Sequence, residues 1–198
     1  MPLIDHLTES HLAATMLATD SASHRTLYAM AQYLEEALKR DHRIFVVGNG
    51  GSAADAQHIA AEFIGRFRDM DPNRLPLPAI ALTTDTSTLT AIGNDFSFAR
   101  VFRRQVDALG KPGDVLWCLS TSGESPNIVE AAVGARDLGM HVISFTGKKT
   151  SKLGAASHLC WRAPHDDTAV VQQLHMTGYH AIIGEVEETL SYLWRPRS

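Results

Sequence analysis

The stretch from Ile44 to Phe67, IFVVGNGGSAADAQHIAAEFIGRF, limits the chain to few architectures. It opens on Ile44, Phe45, Val46 and Val47, an apolar and largely β-branched run that predicts a strand buried on both faces. A turn through Gly48, Asn49, Gly50 and Gly51 follows, then a run of good helix formers with Ser52 near its cap. A strand buried on both sides that enters a helix through a tight turn belongs to a parallel α/β sheet. The turn also aims backbone N–H groups and a helix dipole at one spot, which is the geometry of an anion cradle. On the helix, Asp55, His58 and Glu62 fall at i, i+3 and i+7 and so share a face. The same pattern also fits a glycine turn ahead of an amphipathic helix whose polar stripe meets water.

The rest of the chain repeats this alternation. Residues 8–40 read as helix with a break near Asp20 to Ser23, and Leu27, Met30, Ala31, Leu34 and Leu38 form an apolar stripe. So long a helical segment exceeds what a small sheet can cover, and residues 1–40 are expected to contribute to oligomer contacts. A Pro-punctuated loop at 69–78 leads into a short strand at 79–83. Thr83 to Ser87 offer caps for a helix carrying Leu89 and Ile92, Gly93-Asn94-Asp95 signals a turn, and 98–109 is again helix-like. Residues 115–119 read as a buried strand. Ser120 to Asn127, STSGESPN, then form a second strand–polar turn–helix, with Pro126 where a first helical turn tolerates it. Strands at 141–147 and 157–161 and a final helix from Thr168 complete a parallel, doubly wound sheet. One polar turn is often plain capping, but two at strand C-terminal ends favour a shared ligand in the crevice between them. Hydroxyls and N–H groups, without a lysine, suit a phosphomonoester that is bound and not transferred. On the last helix Gln172 and His180 stand roughly 80° apart and can face one cavity, while His175 points elsewhere. Glu185, Glu187 and Glu188 are expected on a solvent face.

Composition narrows the function classes. A chain of 198 residues fits one domain. A net charge of −4, with no basic run longer than Lys148-Lys149, argues against nucleic acid. No apolar segment reaches membrane-spanning length, and the first residues lack the pattern of a signal peptide. Cys118 and Cys160 sit in apolar runs and read as buried free thiols, which suits a cytoplasmic location. Neither GxGxxG nor the Walker lysine pattern is present, so nucleotide binding is unsupported.

Four separated motifs together resemble one family over essentially the whole chain: GNGGSAADAQHIAAEF at 48–63, LTTDTSTLTAIGND at 82–95, STSGESPN at 120–127 and DTAVVQQLHMTGYH at 167–180. The family is the sugar isomerase (SIS) domain and, within it, the phosphoheptose isomerases. The resemblance implies a flavodoxin-like five-stranded parallel sheet flanked by helices, and a homotetramer with active sites between subunits. It implies an aldose–ketose isomerisation of sedoheptulose 7-phosphate through a cis-enediol, serving heptose biosynthesis for lipopolysaccharide and surface glycans. Carried over by position, Ser120, Thr121, Ser122 and Ser125 would hold the phosphate. Asn49, Gly50, Gly51, Asn94 and Asp95 would line the sugar, with Ser52, Glu62 and Gln172 also on the substrate. Zn²⁺, one per subunit, would be held by His58, Glu62, Gln172 and His180. Glu62 and His180 are the candidates for proton transfer, and Asp55 could orient the metal site or act as the spare base. An SIS relative that binds the bacterial replication initiator also looks similar, but it lacks equivalents of Glu62 and His180. That binding role, and isomerisation of another sugar phosphate, are the alternatives the sequence leaves.

Overall fold

Five strands, all parallel, form the centre of the computed structural model, which describes residues 2–193. In chain order the elements are α1 (Pro2–Thr19), α2 (Ser21–Lys39), β1 (Ile44–Gly48), α3 (Gly51–Ile64), β2 (Ala79–Ala81) and α4 (Thr86–Asp95). A 3-10 turn (Phe98–Arg100), α5 (Arg103–Leu109), β3 (Val115–Leu119), α6 (Pro126–Asp137) and β4 (His141–Thr146) follow. The described chain ends with α7 (Lys152–Ala156), β5 (Leu159–Arg162), α8 (Thr168–Leu190) and a 3-10 turn at Ser191–Leu193.

The strand order is β2-β1-β3-β4-β5, with Ile44 opposite Ala79 on one side and Val115 on the other. After β1 the chain first moves to one edge and then returns to build the other. The crevice beyond the carboxyl ends of β1 and β3 is therefore the topological switch point, where α/β sheets bind ligands.

Strand period 2 divides the core into two layers. Ile44, Val46, Trp117, Leu119 and Phe145 face a cluster completed by α1, α2, α3 and α8. Phe45, Val47, Leu116, Cys118 and Val142 face a second cluster with Ile92, Val106, Ile128 and Leu153. Each fully buried aliphatic side chain contributes about 1.5–3 kcal/mol relative to exposure, so both layers hold the sheet firmly.

The helical break lies at Asp20, whose carboxylate accepts from the Ala22 amide at 3.0 Å and from Ser23 Oγ at 2.6 Å. The helix before it starts earlier than expected, at Pro2. The stripe Leu27, Met30, Ala31, Leu34 and Leu38 is buried. By contrast α1 buries Ala13 and Leu17 and leaves Leu3, Ile4, Leu7, Leu12 and Met16 exposed. Other boundaries shift. Gly93, Asn94 and Asp95 form the last turn of α4 and not a turn outside it, because the Phe96 amide still bonds to the Ile92 carbonyl. The helix expected over 98–109 is split, with a 3-10 turn ahead of α5. The short α7, capped by Ser151, had no periodic signal of its own. Both cysteines are free thiols, Cys118 buried and Cys160 half-buried. No helix among the described residues is long and apolar enough to cross a membrane.

Candidate active site

The two polar turns sit side by side and are locked together. Asn49 follows β1, Asn127 opens α6, and their amides exchange two hydrogen bonds at 2.9 and 2.8 Å across 78 residues of sequence. Asn127 is buried, and its Oδ1 also accepts from the Ile128 amide at 3.0 Å. It belongs to the STSGESPN motif yet was not singled out as a site residue, because its partner is visible only once the two turns meet.

Neither helix at the switch point is capped by a side chain. Gly50 is the N-cap of α3 with φ +55°, a conformation that favours glycine, and Ser125 is the N-cap of α6. Ser52 stands near the cap as expected, buried in the first turn of α3, and the N-cap itself is Gly50. Elsewhere Asp20, Asp85, Ser151 and Asp167 cap α2, α4, α7 and α8 through their side chains. First-turn N–H groups without a side-chain cap at the head of α3 are what an anion needs, whereas at α6 Pro126 has no N–H and the Ile128 amide is already bonded to Asn127 Oδ1.

The hydroxyls cluster around the second turn. Ser120 Oγ lies 3.3 Å from Ser125 Oγ and accepts from the Gly123 amide at 3.1 Å, and Ser122 Oγ accepts from the Glu124 amide at 3.2 Å. Gly123 has φ +66°, and a Cβ there would stand 2.2 Å from Ser151 Oγ, so any other residue would be strained and would displace Ser151. Thr121 and Ser122 border a cavity of about 220 Å³ that Lys148, Lys149, His165 and Asp166 also line. Lysines therefore do stand beside the serine turn, where both pair with Asp166. Glu124 is tied to α7 through the Lys152 amide and ammonium, each at 2.9 Å.

Gln172, near the start of α8, lies over the glycine turn: a Cβ on Gly51 would come within 2.7 Å of its amide nitrogen. Asn94 and Asp95 are exposed at the end of α4 and bond to each other at 2.8 Å.

A second group forms farther along α3 and α8. His58, Glu62 and His180 each offer a ligand atom, and these atoms lie within 4.8 Å of one another. His58 Nε2 is 2.9 Å from Glu62 Oε1, and the rings of His58 and His180 are 5.1 Å apart. His180 is eight residues beyond Gln172, about 12 Å along the helix at 1.5 Å per residue. One chain thus presents the predicted residues as two groups, a turn crevice and a three-donor cluster. Burial, with His58 adding to it, pushes the His180 pKa down against the opposing pull of Glu62. The imidazole is held neutral, the form that ligates metal or accepts a proton. Two imidazole nitrogens and a carboxylate oxygen are a donor set that suits Zn²⁺.

Tyr179, fully buried on α8, stands behind this cluster. Its hydroxyl is 3.0 Å from His58 Nδ1 and donates to Asp55 Oδ1 at 3.4 Å. Burial pushes the Asp55 pKa up, and the Tyr179 hydrogen bond and His58 pull it back only in part. Burial and the neighbouring Asp55 push the Tyr179 phenol up, so it stays protonated.

Glu187 is not on a solvent face. It is buried, accepting from the backbone N–H of Phe67, Arg68 and Asp69 at 3.1, 2.7 and 2.9 Å and from Arg74 Nε at 2.6 Å. Arg74 in turn donates to the carbonyls of Glu62, Phe63 and Gly65 at the end of α3. This clamp holds the loop that stacks Phe67 on His180, with centroids 5.1 Å apart and planes within 18°. His175 points away from the site, as expected, and is a core imidazole bonded to the Thr146 carbonyl at 3.2 Å, where burial pushes its pKa down to about 4.

Residues 9–147 match the SIS domain family model. The phosphoheptose isomerase of Bradyrhizobium sp. strain BTAi1 is 46% identical over 188 residues, 95% of this chain and 93% of that protein. The solved phosphoheptose isomerase GmhA of Neisseria gonorrhoeae superposes with a TM-score of 0.85 at 40% identity, covering 94% of this chain and 97% of that one. A phosphoheptose isomerase from Francisella tularensis gives 0.88 at 32% identity with the same coverages. With its switch-point turns and its His–Glu–His cluster in place on this fold, the chain belongs to the phosphoheptose isomerases of the SIS-domain family.

Proposed function

We infer that the chain interconverts sedoheptulose 7-phosphate and D-glycero-D-manno-heptose 7-phosphate in heptose biosynthesis, using zinc held at the His–Glu–His cluster. The observation that carries the metal reading is the convergence of His58, Glu62 and His180 to within 4.8 Å, in a member of this family. The turn crevice supports phosphate binding, with the uncapped head of α3 and the hydroxyls of Ser120, Thr121, Ser122 and Ser125 as donors. Lys148 and Lys149 add positive charge beside it.

The ketose loses a proton from C1 and gains one at C2, while the O1 hydroxyl proton moves to O2. We assign the carbon proton to Glu62 and the oxygen protons to His180, whose lowered pKa suits a neutral acceptor. Asp55, buried behind Tyr179, is left as a positioning residue and not a base. Zinc bound there would polarise the carbonyl and hydroxyl oxygens that exchange roles. We keep Gln172 as the fourth donor. Its amide rests on Gly51, so serving the same ion requires a changed rotamer or a second copy of the chain. Asn94 and Asp95, exposed in one chain, reach a sugar on the same terms. We therefore propose a homotetramer with sites between subunits, supported by the exposed apolar residues of α1, and a cytoplasmic reaction on a charged sugar that does not cross membranes.

The test is an isomerase assay with sedoheptulose 7-phosphate on metal-stripped and zinc-reloaded protein. Turnover should vanish on stripping and return with zinc. Turnover indifferent to metal keeps the isomerase and returns Glu62 and His180 to unassisted acid–base roles.

A further inference from the structure

We propose that Tyr179 is a positioning residue for the metal centre, setting the tautomer of His58 through a hydrogen-bonded chain that ends on Asp55. The proposal rests on the zinc reading above.

The argument is one of hydrogen-bond direction. A phenol has a single proton, and its oxygen can also accept. An ionised carboxylate only accepts, so the proton of Tyr179 goes to Asp55, 3.4 Å away. The phenol oxygen is then left to accept from the other neighbour, His58 Nδ1 at 3.0 Å. That requires the proton of a neutral His58 to sit on Nδ1. The Glu62 carboxylate, 2.9 Å from Nε2, also only accepts and, without a metal, calls for a proton on that nitrogen. Once a metal ion takes up Nε2 and Glu62, the proton left on the ring is the one on Nδ1, which Tyr179 is placed to accept. Second-shell partners of this kind orient a ligating histidine and raise its basicity.

The geometry holds the relay firmly. Tyr179 is fully buried and precedes His180, so α8 delivers a donor to the cluster and the support for a donor from α3 in consecutive residues. The Tyr179 ring also packs edge-on against both imidazoles, with centroids 5.6 Å from His58 and 4.7 Å from His180. Asp55 is buried one turn before His58 on the same face of α3. Nothing in the local sequence pairs these groups, because Tyr179 lies 121 residues from His58.

The test measures zinc affinity of the full chain by competition with a chromophoric chelator, for wild type and Tyr179→Phe. Phenylalanine keeps the buried ring and removes only the hydroxyl. Affinity should fall about 10–100-fold in the variant. A variant that binds zinc within twofold of wild type overturns the proposal while leaving the metal reading standing. A wild type that binds no zinc overturns both. Should Tyr179→Phe fold poorly, the ¹⁵N imidazole shifts of zinc-loaded wild type decide on their own. Nδ1 protonated with Nε2 on the metal supports the relay, and the opposite arrangement at His58 overturns it.

Discussion

Asp55 and Glu187 are both buried carboxylates, one on α3 and one on α8, and their pKa values move in opposite directions. Desolvation is the largest single influence on each and raises both. Asp55 is answered by one phenol at 3.4 Å and a nearby imidazole, and burial wins. Glu187 receives three backbone N–H groups and a guanidinium, and together these outweigh burial and hold it below the usual range. Depth does not separate the two acids. The number of donors does. Glu187 is a fixed charge that builds the loop carrying Phe67, whereas Asp55 keeps an unmet demand for donors, with only Tyr179 and His58 beside it.

The comparison breaks most visibly at Glu187. Glu187→Gln keeps the shape and removes the carboxylate charge that pairs with the guanidinium of Arg74, 3% exposed. Breaking a buried pair from one side costs about 3–5 kcal/mol, and a denaturant titration at pH 7 should show that loss. Zinc affinity should fall as well, since the clamp holds Phe67 against His180. An unchanged midpoint would mean that the backbone donors alone hold the loop.

The acid limb of stability sharpens the contrast. A depressed carboxylate such as Glu187 contributes stability above its unfolded pKa of about 4.5 that is lost as pH falls through the folded value. His175 acts in a separate window. Its folded pKa of about 4 lies below the unfolded 6.5, so the unfolded chain takes the proton first and stability drops as pH falls from 6.5 towards 4. At about 1.4 kcal/mol per pH unit this one imidazole accounts for a loss of about 3 kcal/mol. A pH series of unfolding midpoints should show that slope in wild type and a flatter one in His175→Gln.

These two sites also mark where sequence reading stops. Strand, turn and helix around Gly48 to Gly51 and Ser120 to Asn127 were legible because each signal is local: a β-branched run, glycines or hydroxyls, then helical period. His58 and Glu62 were legible for the same reason, four residues apart on one helix. Glu187 was misread because three of its donors are backbone N–H groups 118–120 residues away, which no side-chain pattern announces. Its spacing beside Glu185 and Glu188 looks like a solvated face until α8 packs on the end of α3. Tyr179 and the Asn49–Asn127 pair were invisible on the same ground, since each needs two distant segments to meet.

The smallest and most discriminating change is Asp55→Asn. The amide oxygen still accepts from Tyr179, while the charge that burial penalises is gone. For an acid with a raised folded pKa, the folded state holds its proton longer than the unfolded chain. Stability therefore falls as pH rises from the unfolded value of 3.8 through the folded one, and the penalty is complete above it. Removing the charge should raise stability at pH 7 by on the order of 1 kcal/mol, roughly 2–4 °C in melting temperature for a chain of this size. The gain should shrink as the pH is lowered and wild-type Asp55 becomes protonated. Turnover should fall over the same change, because a neutral amide gives the phenol a weaker acceptor and leaves His58 less firmly set. A melting temperature that drops instead would place Asp55 with Glu187, as a charge the fold depends on.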